Sequence, residues 1–281
     1  MKNAEELKKI VRDKYSEIAL QPREQNETSC CGATGCGTVD YAIFADSYTS
    51  LDGYNADADL GLGCGLPTEF AQIRKGDTVV DLGSGAGNDC FVARALTGET
   101  GKVIGVDMTE AMLAKARGNA DKLGFNNVEF RLGEIEALPL PDNHADVVVS
   151  NCVLNLVPDK QKAFSEMFRV LKPGGHFSIS DVVLVGELPE DIVKAGEMYA
   201  GCVAGAIQKA EYLQIIHETG FENITLQKEK AILVPDEILK DYLDAAGIRR
   251  FRESNTGIFS ITVYGDKPLA SACCTPGSGC C

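Results

Sequence analysis

Asp81-Leu82-Gly83-Ser84-Gly85-Ala86-Gly87 decides how the rest of this chain is read. The run that leads into it, Thr78 to Leu82, is short and largely apolar, and Asn88 to Leu96 after it has helical spacing. A strand that turns on glycines straight into a helix opens a βαβ unit, because glycine lets the backbone turn tightly and approach a ligand closely. Working outward, Lys102–Asp107 reads as a second strand, and the next helix opens at Thr109 with Glu110 close behind, a plausible cap. Asn127–Arg131 and Ala145–Ser150 read as the third and fourth strands. A helix from Asp159 to Leu171 then stops at Lys172-Pro173-Gly174-Gly175, and a fifth strand runs from His176 to Ser180. Strands alternating with helices require right-handed crossovers, so the expected fold class is α/β with a mostly parallel, doubly wound, Rossmann-like sheet.

Outside this block the rhythm differs. Leu7, Ile10, Val11, Tyr15 and Ile18 recur at helical spacing, which predicts one amphipathic helix over residues 1–20. Residues 21–66 are polar, rich in glycine and carry Cys30, Cys31, Cys36 and Cys64, so a loop-rich, cysteine-rich segment is expected. Beyond Asp181 the pattern predicts helices near 189–200 and 209–219 and strands near 222–228 and 258–264, a smaller α+β region. Residues 270–281 are small and cysteine-rich and read as a mobile tail. The division expected is therefore 1–66, 67–185, 186–269 and 270–281.

A net charge of −14 argues against nucleic acid or an anionic membrane as partner, since both need basic patches. No stretch approaches the ~18 apolar residues of a membrane span, and Met1 to Ala19 lacks the apolar block of a signal peptide, so a cytoplasmic location is expected. Eleven cysteines in such a chain point to metalloid or metal ligation, redox chemistry or inert buried thiols rather than a disulfide framework. Three histidines leave little room for histidine-based zinc sites or nucleophile activation.

The glycine loop has the spacing G-x-G-x-G, with Asn88 where a dinucleotide fingerprint would need glycine. Asp107, at the end of the second strand, can accept hydrogen bonds from both hydroxyls of a ribose; a helix cap is the other reading. Leu132-Gly133-Glu134-Ile135 follows the third strand, where an adenine ring would be clamped. A Walker A loop is absent, because Gly98-Glu99-Thr100-Gly101-Lys102 is followed by Val103. The loop, together with Arg169-Val170-Leu171-Lys172-Pro173-Gly174-Gly175, resembles class I S-adenosylmethionine methyltransferases. That resemblance implies S-adenosyl-L-methionine as cofactor. It would be held by Asp81, Gly83, Ser84, Gly85 and Asn88 around the loop and by Asp107 and Met108 after the second strand. Gly133, Glu134 and Ile135 after the third strand and Asn151 after the fourth complete the set.

Three isolated cysteines stand in distinctive contexts: Gly63-Cys64-Gly65, Asn151-Cys152-Val153-Leu154-Asn155-Leu156 and Cys202-Val203-Ala204-Gly205-Ala206. Taken singly, each reads most simply as a buried small hydrophobe. Cys152 lies just past the carboxyl end of the fourth strand, where open α/β sheets place their substrate. Together, over about residues 50–220, these contexts look like arsenite methyltransferases. The resemblance implies that Cys64, Cys152 and Cys202 hold As(III) as thiolates and that an amino-terminal cysteine, Cys30 or Cys31, takes part in disulfide chemistry. Arsenite or its thiol conjugates would be the substrate, with a cytoplasmic dithiol reductant such as thioredoxin as partner. Soft As(III) matches thiolate ligands, and its lone pair can serve as the nucleophile without a general base. Two other readings stand beside this one. The first is a methyltransferase for a small organic acceptor such as a quinone precursor. The second is a metal-sequestering protein built on Cys30-Cys31-Cys36 and Cys273-Cys274 with Cys280-Cys281, although these lack the C-x-x-C pairing of zinc sites.

Overall fold

Val79 and Val80 show how the core is made: neighbours on one strand, they are fully buried on opposite faces of the sheet. In the computed structural model, which describes residues 4–21, 46–187, 205–232, 236–240, 243–254 and 256–269, seven strands form one sheet in the order β3-β2-β1-β4-β5-β7-β6. They are β1 (Thr78–Leu82), β2 (Lys102–Asp107), β3 (Val128–Leu132), β4 (Ala145–Asn151), β5 (Leu171–Val185), β6 (Glu222–Ile232) and β7 (Gly257–Asp266). The first five pair in parallel, and β7 pairs antiparallel with both β5 and β6. The predicted α/β, Rossmann-like fold is the one observed, and the two late strands extend the same sheet.

The helices are α1 (Ala4–Leu20), α2 (Pro67–Phe70), α3 (Asn88–Thr97), α4 (Glu110–Leu123), α5 (Lys160–Val170), α6 (Lys209–Glu218), α7 (Asp236–Leu239) and α8 (Ala245–Glu253). On the Val79 face, Phe91 of α3 and Met112, Leu113 and Ala116 of α4 pack with Phe130, and Ile18 of α1 joins them. On the Val80 face, Phe164 and Met167 of α5 and Tyr212 and Ile216 of α6 pack with Phe177 and Phe221. Asp159 caps α5, its carboxylate accepting the Lys162 N–H at 2.9 Å. Lys172–Gly175, expected as a turn, is an irregularity inside β5, which pairs at Leu171 and resumes at His176. The strand then runs to Val185, beyond the expected end at Ser180, because β7 pairs with it throughout. The helix predicted near 189–200 and the tail 270–281 lie outside the described residues. No described helix is long and apolar enough to cross a membrane.

Candidate functional site

β1 is flanked by β2 on one side and β4 on the other, so the chain's winding reverses between β1 and β4. In open α/β sheets ligands bind in the crevice at the carboxyl ends of the strands at such a point. A cleft opens there. Its walls include Gly83, Ser84, Gly85, Asn88, Asp107, Met108, Gly133, Glu134, Ile135, Asn151 and Cys152. Gly83 has φ of +71°, and a Cβ there would stand 2.5 Å from a Val153 methyl, so glycine is required both by backbone and by space.

Asp107 stands in the cleft wall, bonded to the glycine loop and to the start of α4. Its Oδ2 accepts the Gly85 N–H at 3.0 Å, and its Oδ1 accepts the N–H of Thr109, the N-cap of α4, at 2.8 Å. Burial raises its carboxyl above the usual range, against the pull of these amides. Asp81 stands apart from the other expected cofactor residues. It does not line the cleft; its side chain is buried and accepts a hydrogen bond from Cys90 Sγ at 3.2 Å. Burial, with Asp89 nearby, pushes its carboxyl well up.

The sequence reading missed part of the wall. Lys8, Val11 and Tyr15 of α1 line the cleft, as do Tyr48, Asp59 and Asp89. Lys8 Nζ lies 2.8 Å from Glu134 and 2.5 Å from Glu136, and Arg12 reaches Glu134 at 3.4 Å, so α1 is tied across the opening. The amphipathic pattern of α1 predicted a buried face without saying what it would cover. Asp89 is the second residue after the glycine loop, a signal that the loop spacing left unread. Tyr48 Oη donates to the Asp89 carboxylate, and burial lifts that carboxyl to about 6.

The lining fits the implied cofactor. Asp59, Asp89, Asp107, Glu134 and Glu136 face Lys8 as the cation among the described lining residues, an acidic environment for a sulfonium with its ammonium group. Ser84 Oγ is buried in this wall with no hydrogen-bond partner among the described residues, and a Cβ on Gly85 would meet nothing within 4 Å. An unpaired hydroxyl beside an open cradle is what a bound nucleoside would satisfy.

Of the cysteines singled out, Cys152 is in the cleft wall and Cys64 lies just behind it, fully buried; both belong to one apolar cluster with Val182, Leu184 and Phe251. Among the described residues neither forms a disulfide. Beneath them the buried Tyr212 hydroxyl donates to Asp181 at 3.0 Å, and burial raises the Asp181 carboxyl to about 7. Cys30, Cys31 and Cys202 lie outside the described residues.

A family model described as a methyltransferase domain matches residues 73–220. The chain is 43% identical over 238 residues to an arsenite methyltransferase of Halobacterium salinarum, covering 80% of this chain and 60% of that protein. It is 37% identical over 267 residues to an arsenite methyltransferase of Homo sapiens, covering 90% and 69% respectively. The crystal structure of an arsenic(III) S-adenosylmethionine methyltransferase from Chlamydomonas reinhardtii matches with a TM-score of 0.61 at 34% identity, covering 82% of this chain and 74% of that one.

Proposed function

We propose, from the premise that this chain belongs to the arsenite methyltransferase family, that it moves the methyl group of S-adenosylmethionine onto trivalent arsenic held by Cys64, Cys152 and Cys202. The observation that carries the reading is a meeting of two features at the switch between β1 and β4. An acid-lined cleft suited to a cationic nucleoside has the Cys152 thiol in its wall, with Cys64 in the same buried cluster.

The cofactor supplies an electrophilic methyl group on a sulfonium. On the protein side, Asp107 orients the ribose while latching the glycine loop through Gly85. Gly83, Ser84, Gly85, Asn88, Met108, Gly133, Glu134 and Ile135 form the rest of the cradle, and Asp81, tied to Cys90, supports the loop from beneath. The thiolates bind As(III), a soft centre, and leave its lone pair facing the methyl group. Arsenic is the nucleophile, so the protein's task is alignment, worth ~7–11 kcal/mol when two reactants are well oriented. Methyl transfer formally oxidises arsenic by two electrons. A pair of thiols, Cys30 or Cys31 with a second cysteine, returns them by closing a disulfide and releasing two protons, and a dithiol reductant of the thioredoxin kind reopens it in the cytoplasm.

A methyl-transfer assay with arsenite, with and without thiols, beside a panel of organic acceptors tests this. Cys64→Ser, Cys152→Ser and Cys202→Ser are each expected to lose As(III) binding and keep cofactor binding. Full arsenite methylation by any two of them, or turnover of an organic acceptor in place of arsenite, refutes the reading.

A further inference from the structure

Asn151 closes β4 and stands in the cleft wall, where a polar side chain would ordinarily be assigned to the cofactor. Its amide is engaged elsewhere. Oδ1 accepts the Cys64 backbone N–H at 3.0 Å and lies 3.8 Å from Cys64 Sγ. Nδ2 donates to the Gly65 carbonyl at 2.8 Å and to Tyr48 Oη at 2.5 Å. An N–H donor on one side and a carbonyl on the other fix which end of the amide is oxygen. A primary amide has two N–H donors, and both are engaged by the protein, with the Asp89 carboxylate a further 3.3 Å contact, while the Cys64 N–H holds the oxygen.

The flanking residues show the same grip. A Cβ on Gly63 would lie 2.6 Å from Asn151 Nδ2, and a Cβ on Gly65 would lie 2.5 Å from Ser180 Oγ. The backbone of 63–65 therefore rests directly on Asn151 and on β5, which no other residue type at 63 or 65 would allow without a shift. Ser260 Oγ holds the Cys64 carbonyl from the far side. The residue after Asn151 is Cys152, left-handed at φ +59° with its N–H bonded to the Ser180 carbonyl at 2.8 Å. Tyr48, in turn fixed by the Asp89 carboxylate at 2.8 and 2.9 Å, keeps the amide from rotating.

We propose that Asn151 is a positioning residue for arsenic binding: it holds the Cys64 thiol at a set place beside Cys152 and takes no direct part in binding the cofactor. The residue that grips the Cys64 segment is covalently joined to the second thiol, so the spacing of the two is set within one rigid strand end. The proposal rests on the reading of Cys64 and Cys152 as arsenic ligands.

The test uses the full chain with Asn151→Ala, with Tyr48→Phe as a variant that keeps the packing and removes only the hydroxyl, and with Cys64→Ser as reference. X-ray absorption counts the As–S bonds on arsenite-loaded protein, arsenite titration gives Kd, and calorimetry follows S-adenosylhomocysteine. Wild type is expected to show three As–S bonds. Asn151→Ala is expected to fall toward the two of Cys64→Ser, with arsenite Kd raised tenfold or more and nucleoside Kd within twofold of wild type. Tyr48→Phe is expected to move arsenite affinity in the same direction by a smaller factor. Three As–S bonds and unchanged arsenite affinity in both variants overturn the positioning role, as does a nucleoside Kd raised tenfold with arsenite binding intact. A wild type with fewer than three As–S bonds, or a Cys64→Ser that binds as wild type, overturns the arsenic reading itself and the positioning role with it.

Discussion

Replacing Asp107 by alanine separates the two jobs this carboxylate is placed to do. Its two oxygens offer about four acceptor positions. Gly85 N–H at 3.0 Å and Thr109 N–H at 2.8 Å bond one oxygen each, and the Thr109 side chain and the Met108 backbone bear on the same carboxylate. The carboxylate lines the cleft, where it can also meet the hydroxyls of a ribose. Hydrogen bonds to a charged group contribute about 1.5–3 kcal/mol, so Asp107→Ala is expected to weaken nucleoside binding by roughly 10- to 150-fold. The unlatched loop adds to this, since two backbone N–H groups lose their acceptor. Calorimetry with S-adenosylhomocysteine and with its 2′,3′-dideoxy counterpart tells the two effects apart. If the carboxylate binds ribose, the substitution should penalise the hydroxylated ligand far more than the dideoxy one. An equal penalty for both ligands would reduce Asp107 to a loop latch, and an unchanged affinity in a folded variant would refute the assignment. Because burial raises this carboxyl, nucleoside affinity should also fall as pH drops through its raised pKa.

Asp181 is expected to shape stability against pH. Its folded pKa of about 7 lies above the ordinary carboxyl value of about 3.9, so the folded state favours the protonated form. Its stabilising contribution is complete below about pH 4 and is lost as pH rises to about 7, by as much as ~4 kcal/mol at 1.36 kcal/mol per unit. Urea unfolding across that window should show the slope in wild type and a flatter profile in Asp181→Asn; parallel profiles would refute it. Replacing both Cys30 and Cys31 by serine should slow steady-state turnover more than a single turnover, as measured by rapid quench; equal losses would place the pair in the binding site instead. Removing residues 270–281, whose four cysteines are soft ligands able to capture arsenite, should leave the maximal rate intact and lower the rate at scarce arsenite. Identical arsenite titrations with and without the segment would deny it that role.

The parallel half of the sheet was legible because its strands announce themselves locally. β1, β2 and β4 are buried on both faces and read as apolar runs, and Gly83 closes β1 while Gly101 opens β2. The full length of β5 was not legible, since its last five residues depend on pairing with β7, some eighty residues later. β6 is mostly exposed and polar, so its pairing as far as Ile232 follows from β7 rather than from any pattern of its own. In the site, the loop glycines and Asp107 follow from spacing within one βαβ unit. Asp81 shows the limit of spacing. Strand alternation puts it on the same face as Val79, beneath α3 and against Cys90, and so away from the cleft. Tyr48 and the α1 residues Lys8, Val11 and Tyr15 reach the cleft only through tertiary packing, which no local pattern records.

The place of β7 governs the order in which this molecule can be built. Among the described strands β6 pairs only with β7, and β5 meets β7 along ten residues, from His176 to Val185. A nascent chain that has delivered β5 and β6 still carries one unpaired β5 edge and one strand with no neighbour. Both wait for the stretch from Gly257 to Asp266 to leave the ribosome. Such an edge is a template for wrong partners, and long-range closure is slow. Ribosome-stalled chains ending short of Gly257 should therefore stick to one another or to chaperones, and those extended past Asp266 should release them.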